Sequence, residues 1–293
     1  MSSILITGAT GQVGQWLEKL APKDAVLITP SRNNFDLSQP ANLSEKLHAI
    51  SPGAIINSGA YTNVDGAETH QDDAFRVNAE GPEIIADYAA KRNIPLIHLS
   101  TDFVFDGSKN TPYIPTDTPD PLCIYGASKL AGEERVTAAN AAATVVRTSW
   151  VYSESGSNFV LKILELAANR PALTVVTDQS GTPCYARNLA KAIWQLLETP
   201  HQPGIYHYAD RGCVSRYDFA RAIVDEAVAA GLLNNATDIS GCASSEFPAP
   251  AKRPAYSALD AAGIESILQT KSQHWRDALK DMLRSLAAMQ KNI

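Results

Sequence analysis

The sequence has little of what would tie a chain to a metal, an oxidising compartment, a bilayer or a polyanion. Its four cysteines, Cys123, Cys184, Cys213 and Cys242, are widely separated and form no Cys-x-x-Cys pair, which excludes a zinc ribbon or disulfide framework and reads as reduced thiols. The histidines are equally scattered, without metal-ligand spacing, so no metal is expected. No apolar run approaches the roughly 20 residues of a membrane helix. Met1-Ser2-Ser3 leads straight into the strand-like Ile4-Leu5-Ile6, with no basic segment, apolar stretch and cleavage site, so a cytoplasmic protein without a membrane partner is expected. Positive charge is in deficit too. A formal net charge of −6 leaves no electrostatic footprint for a nucleic-acid partner. Internal repeats and low-complexity linkers are absent. What remains is an ordinary globular composition, 45% hydrophobic and 19% charged over 293 residues, enough for one large α/β domain or two modest ones.

The first strand-like segment, Ile4–Thr7, runs into Gly8-Ala9-Thr10-Gly11-Gln12-Val13-Gly14, and a helix follows. Strand, glycine turn and helix present backbone N–H groups to a pyrophosphate, which marks Gly8, Gly11, Gln12, Val13 and Gly14 as cofactor-binding candidates. The spacing is Gly-x-x-Gly-x-x-Gly and departs from the usual Gly-x-Gly-x-x-Gly. A plain βα turn is the alternative. The next strand candidate, Ala25–Thr29, ends in Pro30-Ser31-Arg32-Asn33-Asn34, with no carboxylate before Asp36. An acidic tip suits NAD, whereas Ser31 and Arg32 suit the extra phosphate of NADP through charge-assisted bonds. NADPH is therefore expected, with NADH as the alternative donor and Asp36 and Leu37 on the same side of the site. A solvated Arg32 is the competing reading.

Ala54–Asn57 is the third strand candidate. Gly59, Ala60 and Tyr61 follow it where small residues let a cofactor lie against the backbone. A helical stretch over 72–92 carries Asn78, read as a polar residue bonding locally. The fourth strand, Pro95–Leu99, leads to Ser100-Thr101-Asp102-Phe103. There a hydroxyl is placed either to bond a substrate carbonyl or to cap a turn. A loop over 107–122 then delivers the chain to Ile124–Glu133. On a helix, Tyr125 and Lys129 share one face, and an ammonium beside the phenol is expected to lower a pKa of about 10. Taken alone, the pair is equally an ordinary amphipathic helix start.

The glycine turn with Tyr125-Gly126-Ala127-Ser128-Lys129 resembles the extended short-chain dehydrogenase/reductase family. Further blocks narrow the resemblance to its reductases of nucleotide-linked ketosugars: Ser100–Gly107, Lys129–Glu133, Arg147–Tyr152, Asn158–Val160, Asp178–Pro183 and Arg253–Asp260. The resemblance implies reduction by NADPH of the 4-keto group of dTDP-4-dehydro-L-rhamnose to the alcohol of dTDP-L-rhamnose, a small-molecule nucleotide-sugar substrate. It implies a catalytic set of Thr101, Tyr125 and Lys129, with Lys129 also on the nicotinamide ribose. Substrate-binding positions are Thr101, Asp102, Phe103, Tyr125 and Trp150, with Arg253 on the phosphates. Trp150 and Arg253 also read as a packing aromatic and a solvated loop base. Some members build a magnesium site at a homodimer contact with a glutamate soon after the glycine turn. The matching position here is Trp16, expected to face the core, so neither that metal nor that dimer is carried over, and a homodimer of another kind stays open.

The fold expected is α/β, a doubly wound parallel sheet of Rossmann type with a smaller, interleaved C-terminal substrate domain. The nucleotide domain spans 1–152, rejoined by about 171–208, and the substrate region spans 153–170 and 209–293. Helices are expected over 158–169, 186–198 and 217–231, strands over 173–177 and 204–208, and irregular chain over 240–260. Two other functions fit the same fold: an NAD-dependent nucleotide-sugar epimerase or dehydratase, and a non-catalytic regulatory subunit like that of methionine adenosyltransferase.

Overall fold

Six short apolar segments pair in parallel into one sheet: β1 (Ile4–Thr7), β2 (Leu27–Ile28), β3 (Ala54–Asn57), β4 (Leu96–Thr101), β5 (Thr144–Thr148) and β6 (Gly204–His207). The computed structural model describes residues 3–200 and 202–291, so the Met1-Ser2 start and His201, one of the scattered histidines, lie outside the described residues. The strand order is β6-β5-β4-β3-β1-β2. Every residue of β3, β4 and β5 is buried, as a parallel sheet covered on both faces demands. β2 is shorter than the expected Ala25–Thr29 because it is the half-buried edge of the sheet.

The longer helices are α1 (Gln12–Lys19), α2 (Pro40–Ile50), α3 (Gly81–Arg92), α4 (Ile124–Ala139), α5 (Phe159–Asn169), α6 (Ala186–Glu198), α7 (Arg216–Ala229) and α8 (Trp275–Lys291). α1 and α6 cover one face through Leu17, Leu189, Ile193 and Trp194, and the Trp194 indole donates to the Leu17 carbonyl at 3.1 Å. On the other face α2, α3 and α4 bury Leu43, Leu47, Ile85 and Val136 against Leu5, Ile55 and Val145. The expected Rossmann-type layering follows from these two apolar interfaces. A second core gathers Tyr152, Ile163, Phe219, Ile223 and Met282 from α5, α7, α8 and the chain between β5 and α5.

Two segments differ from their reading in the sequence. The helix over 72–92 is interrupted by a π turn at Arg76–Glu80, and such a turn re-aims a side chain, here Asn78. Within 171–208, Ala186–Glu198 and β6 pack on the central sheet, but Ala172–Val176 pairs in parallel with Asp238–Cys242 in the second lobe, the part of the chain gathered around that second core. Residues 240–242 are thus strand rather than irregular chain. Asp238–Cys242 buries none of its residues fully, so it carries no apolar alternation to read. Among the described residues, no helix is long and apolar enough to cross a membrane.

Candidate active site

β1 has β2 on one side and β3 on the other, so the strand order reverses at the carboxyl ends of β1 and β3, where an open α/β sheet leaves a crevice. Gly8 occupies that point with φ +67°, and a Cβ there would lie 2.7 Å from the Gly59 Cα. Only glycine fits both the conformation and the approach. Thr7 braces the opposite strand end, its Oγ1 accepting from the Gly59 N–H at 3.1 Å and its carbonyl accepting from the Ser58 hydroxyl at 2.6 Å. Gly11 caps α1 without a side-chain bond, so the first N–H groups of Gln12, Val13 and Gly14 have no side-chain acceptor. A bare backbone cradle with uncapped donors fits a dinucleotide pyrophosphate. Gln12 Oε1 accepts from Asn158 Nδ2 at 2.9 Å, which ties the turn to the second lobe.

The other expected cofactor residues surround this crevice. Leu37 is buried behind Gly59, and Ala60 and Tyr61 continue the strand end half-buried. Ser31 is exposed at the tip after β2. The Arg32 side chain is 77% exposed, with its Nε 3.6 Å from Asp36 Oδ1, too far for a hydrogen bond and free to turn to a phosphate.

α4 is seated by two glycines. A Cβ on Gly126 would collide with the Phe103 carbonyl, and one on Gly132 with the Asn78 carbonyl. That close approach puts the half-buried Tyr125 edge-on to Phe103, with ring centroids 5.5 Å apart, and sets it beside Thr101. Thr101 ends β4 and donates to Asp102 Oδ1 at 3.1 Å while its Oγ1 accepts from the Phe103 N–H at 3.3 Å. It is therefore both a turn cap and a cleft hydroxyl. Asp102 Oδ2 is buried without a hydrogen-bond partner among the described residues. Burial raises the Asp102 carboxyl to about 6, with the nearby hydroxyls of Ser257 and Thr101 and the charge of Arg216 opposing.

Lys129 corrects one expectation. Its Nζ donates to the Leu99 carbonyl at 2.6 Å, and the side chain is 2% exposed. Desolvation lowers the ammonium to about 8, with Glu133 pulling it back. The Tyr125 phenol is not lowered: burial raises it to about 12, opposed by the neighbouring Thr101 hydroxyl and helped by the charge of Asp102. Loss of water outweighs the cation one helical turn away, whose charge is turned toward the sheet.

Asn78 corrects another. Its Oδ1 accepts from the Tyr61 N–H at 2.8 Å, and its Nδ2 donates to the Tyr61 carbonyl at 3.1 Å and to Ser128 Oγ at 2.9 Å. Ser128 in turn donates to the Tyr125 carbonyl at 2.8 Å. Asn78 thus bonds across the fold, joining the strand end after β3 to α4. Trp16 lies between the two cores, half-buried, with Nε1 donating to Ser153 Oγ and Glu154 Oε2 at 3.2 Å each.

Trp150 has φ +44°, a strained value for a bulky side chain. A Cβ on Gly181 would stand 2.7 Å from its Cε2, and the guanidinium carbon of Arg216 lies 3.5 Å from its ring centroid. The face expected for a sugar is therefore shared with an arginine. Nothing in the sequence singled out Arg216, because its partners Trp150 and Phe159 sit on other elements. Arg253 is held by Asp65, Nη2 to Oδ2 at 2.9 Å, and by the Ala251 carbonyl at 3.0 Å.

Residues 1–288 match the family model described as the RmlD substrate binding domain. The dTDP-4-dehydrorhamnose reductase of Aggregatibacter actinomycetemcomitans is 38% identical over 289 residues, 96% of this chain and 98% of that protein. The enzyme of the same description from Mycobacterium tuberculosis (strain CDC 1551 / Oshkosh) is 40% identical over 293 residues, covering 97% and 93%. Among solved structures, the dTDP-4-dehydrorhamnose reductase of Bacillus anthracis in complex with NADP superposes with a TM-score of 0.90 at 32% identity, over 97% of this chain and 99% of that one.

Proposed function

The chain belongs to the RmlD substrate binding domain family, and from that premise we propose that it is an NADPH-dependent reductase converting the 4-keto group of dTDP-4-dehydro-L-rhamnose to the alcohol of dTDP-L-rhamnose. The observation that carries the reading is the convergence of Thr101, Tyr125 and Lys129 at the carboxyl end of β4, beside the glycine crevice. Bound NADPH supplies the hydride. Gly8, Gly11, Gln12, Val13 and Gly14 hold its pyrophosphate, Ser31 and Arg32 its 2′-phosphate, and Gly59, Ala60 and Tyr61 flank it.

The chain's own residues manage the proton. Tyr125 carries its hydroxyl hydrogen at neutral pH, and burial, which raises the phenol to about 12, holds that hydrogen more firmly still. A ketone oxygen gaining negative charge becomes a strong enough base to take that hydrogen, and the Thr101 hydroxyl is a second donor to the same oxygen. Lys129, whose Nζ is held by the Leu99 carbonyl, would bond the nicotinamide ribose of the cofactor. Asp102, Phe103 and Trp150 wall the sugar, and Arg253 faces the phosphates. The same reading puts the enzyme in the cytoplasm with a diffusible nucleotide sugar. A homodimer is compatible with this reading, and Trp16 bonds to Ser153 and Glu154 of its own chain.

The test is loss of NADPH absorbance, mole for mole, on adding dTDP-4-dehydrorhamnose. Cofactor binding without consumption overturns the reductase reading and favours a binding module.

A further inference from the structure

The cleft contains a cation that neither the motifs nor the resemblance assigns. Arg216 is the first residue of α7, anchored through its own N–H to the Gln179 carbonyl at 2.9 Å and preceded by Ser215, which accepts from the Asp218 N–H at 2.9 Å. Its guanidinium carbon lies 3.5 Å from the Trp150 ring centroid and 4.8 Å from that of Phe159. Two rings thus fix the plane of the fork. Stacking uses the faces of a guanidinium and leaves its N–H edge for acceptors.

Among the described residues, no side chain or carbonyl accepts from that edge. Asp102 and Arg253 are close enough to act on it electrostatically, Asp102 favouring its charge and Arg253 opposing it, but neither forms a bond with it. A second guanidinium is therefore tolerated nearby. Arg253 is already neutralised by Asp65, so Arg216 is the one of the two whose donors have no protein acceptor. A planar, partly desolvated fork with idle donors, held against the aromatic of the substrate wall, matches an oxyanion with paired oxygens.

Resting on the reductase reading above, we propose that Arg216 is a substrate-binding and specificity-determining residue that takes a phosphoryl oxygen of the nucleotide diphosphate while stacked on Trp150. It places the diphosphate on the second-lobe side of the cleft, so that α7 contributes to selection of a nucleotide-linked sugar over a free one. Trp150 then acts as the platform that orients the arginine as well as a wall for the sugar.

The test compares wild type with Arg216→Met, which keeps an apolar stem over the ring, and with Arg216→Lys, using calorimetric titration of dTDP, thymidine and NADPH. Expected for Arg216→Met are a dTDP affinity lower by 10- to 100-fold, and thymidine and NADPH affinities within twofold. Arg216→Lys should fall between, since it keeps charge but not the fork. In turnover, KM for the nucleotide sugar should rise by the same factor with kcat little changed. Unchanged dTDP affinity overturns the inference. So does an equal loss for thymidine and dTDP, which indicates packing only, or a matching loss for NADPH, which indicates a cofactor contact or misfolding. Wild-type protein that binds dTDP but never turns over defeats the reductase reading and leaves the phosphate contact standing.

Discussion

Lys129 Nζ and the Leu99 carbonyl are 2.6 Å apart, so the ammonium of the Tyr-x-x-x-Lys pair is tied to the sheet and not to the phenol. Its burial has a consequence for stability. The folded pKa, about 8, lies below the unfolded value of about 10.4. Between those values the unfolded chain binds more protons, so this group's contribution to stability rises with pH across that window, and its cost is complete below pH 8. The cost is of order 3 kcal/mol. Lys129→Met should therefore gain stability relative to wild type at pH 7, with the gap narrowing at pH 9 in urea titrations. A gap independent of pH contradicts the buried-ammonium account. The same substitution should weaken NADPH binding at least tenfold.

Tyr125→Phe retains the edge-on contact with Phe103 and removes the hydroxyl hydrogen. General-acid loss is typically worth about 10²- to 10⁴-fold. Turnover should fall in that range while the NADPH dissociation constant stays within twofold. An active phenylalanine variant would falsify the assignment of the proton donor.

Arg32 meets Asp36 only at 3.6 Å and is largely in water, so replacing it should leave stability almost unchanged. Arg32→Ala should raise KM for NADPH about tenfold and leave that for NADH nearly unaltered, the loss expected of one charge-assisted phosphate contact. Steady-state kinetics with both cofactors decide it, and an unaltered preference ratio removes Arg32 from the site.

Glu133 and Arg147 form a buried pair, each 2% exposed, with contacts of 2.9 Å, 3.1 Å and 2.6 Å joining α4 to β5. Removing one partner strands a charge and is typically worth about 3–5 kcal/mol, a large fraction of the roughly 5–15 kcal/mol by which a native protein is stable. Arg147→Met alone should unfold the protein at markedly lower urea concentration. Combined with Glu133→Leu, much of the loss should return, because no unpaired charge is left behind. Equal destabilisation in the single and double variants argues instead for a packing defect around Phe105, over whose ring Arg147 also lies.

The sequence by itself determined the features that neighbours encode. The apolar runs 4–7, 54–57 and 95–99 fell on strands of the sheet because a strand covered on both faces needs a largely apolar segment, and that is a local property. The glycine turn was legible because Gly8 answers to a backbone angle, and Tyr125 and Lys129 because one helix spaces them. Asp238–Cys242 was not legible, since its pairing with Ala172–Val176 substitutes for the apolar pattern that would have revealed it. Only the tertiary structure decided which way the Tyr125 phenol shifts, because desolvation depends on everything packed around a group and outweighed the charge beside it in sequence. It alone turned Asn78 from a local bond to Tyr61 and Ser128, and Arg216 onto Trp150. Those contacts join elements far apart in the chain, and no spacing rule records a distance that folding itself creates.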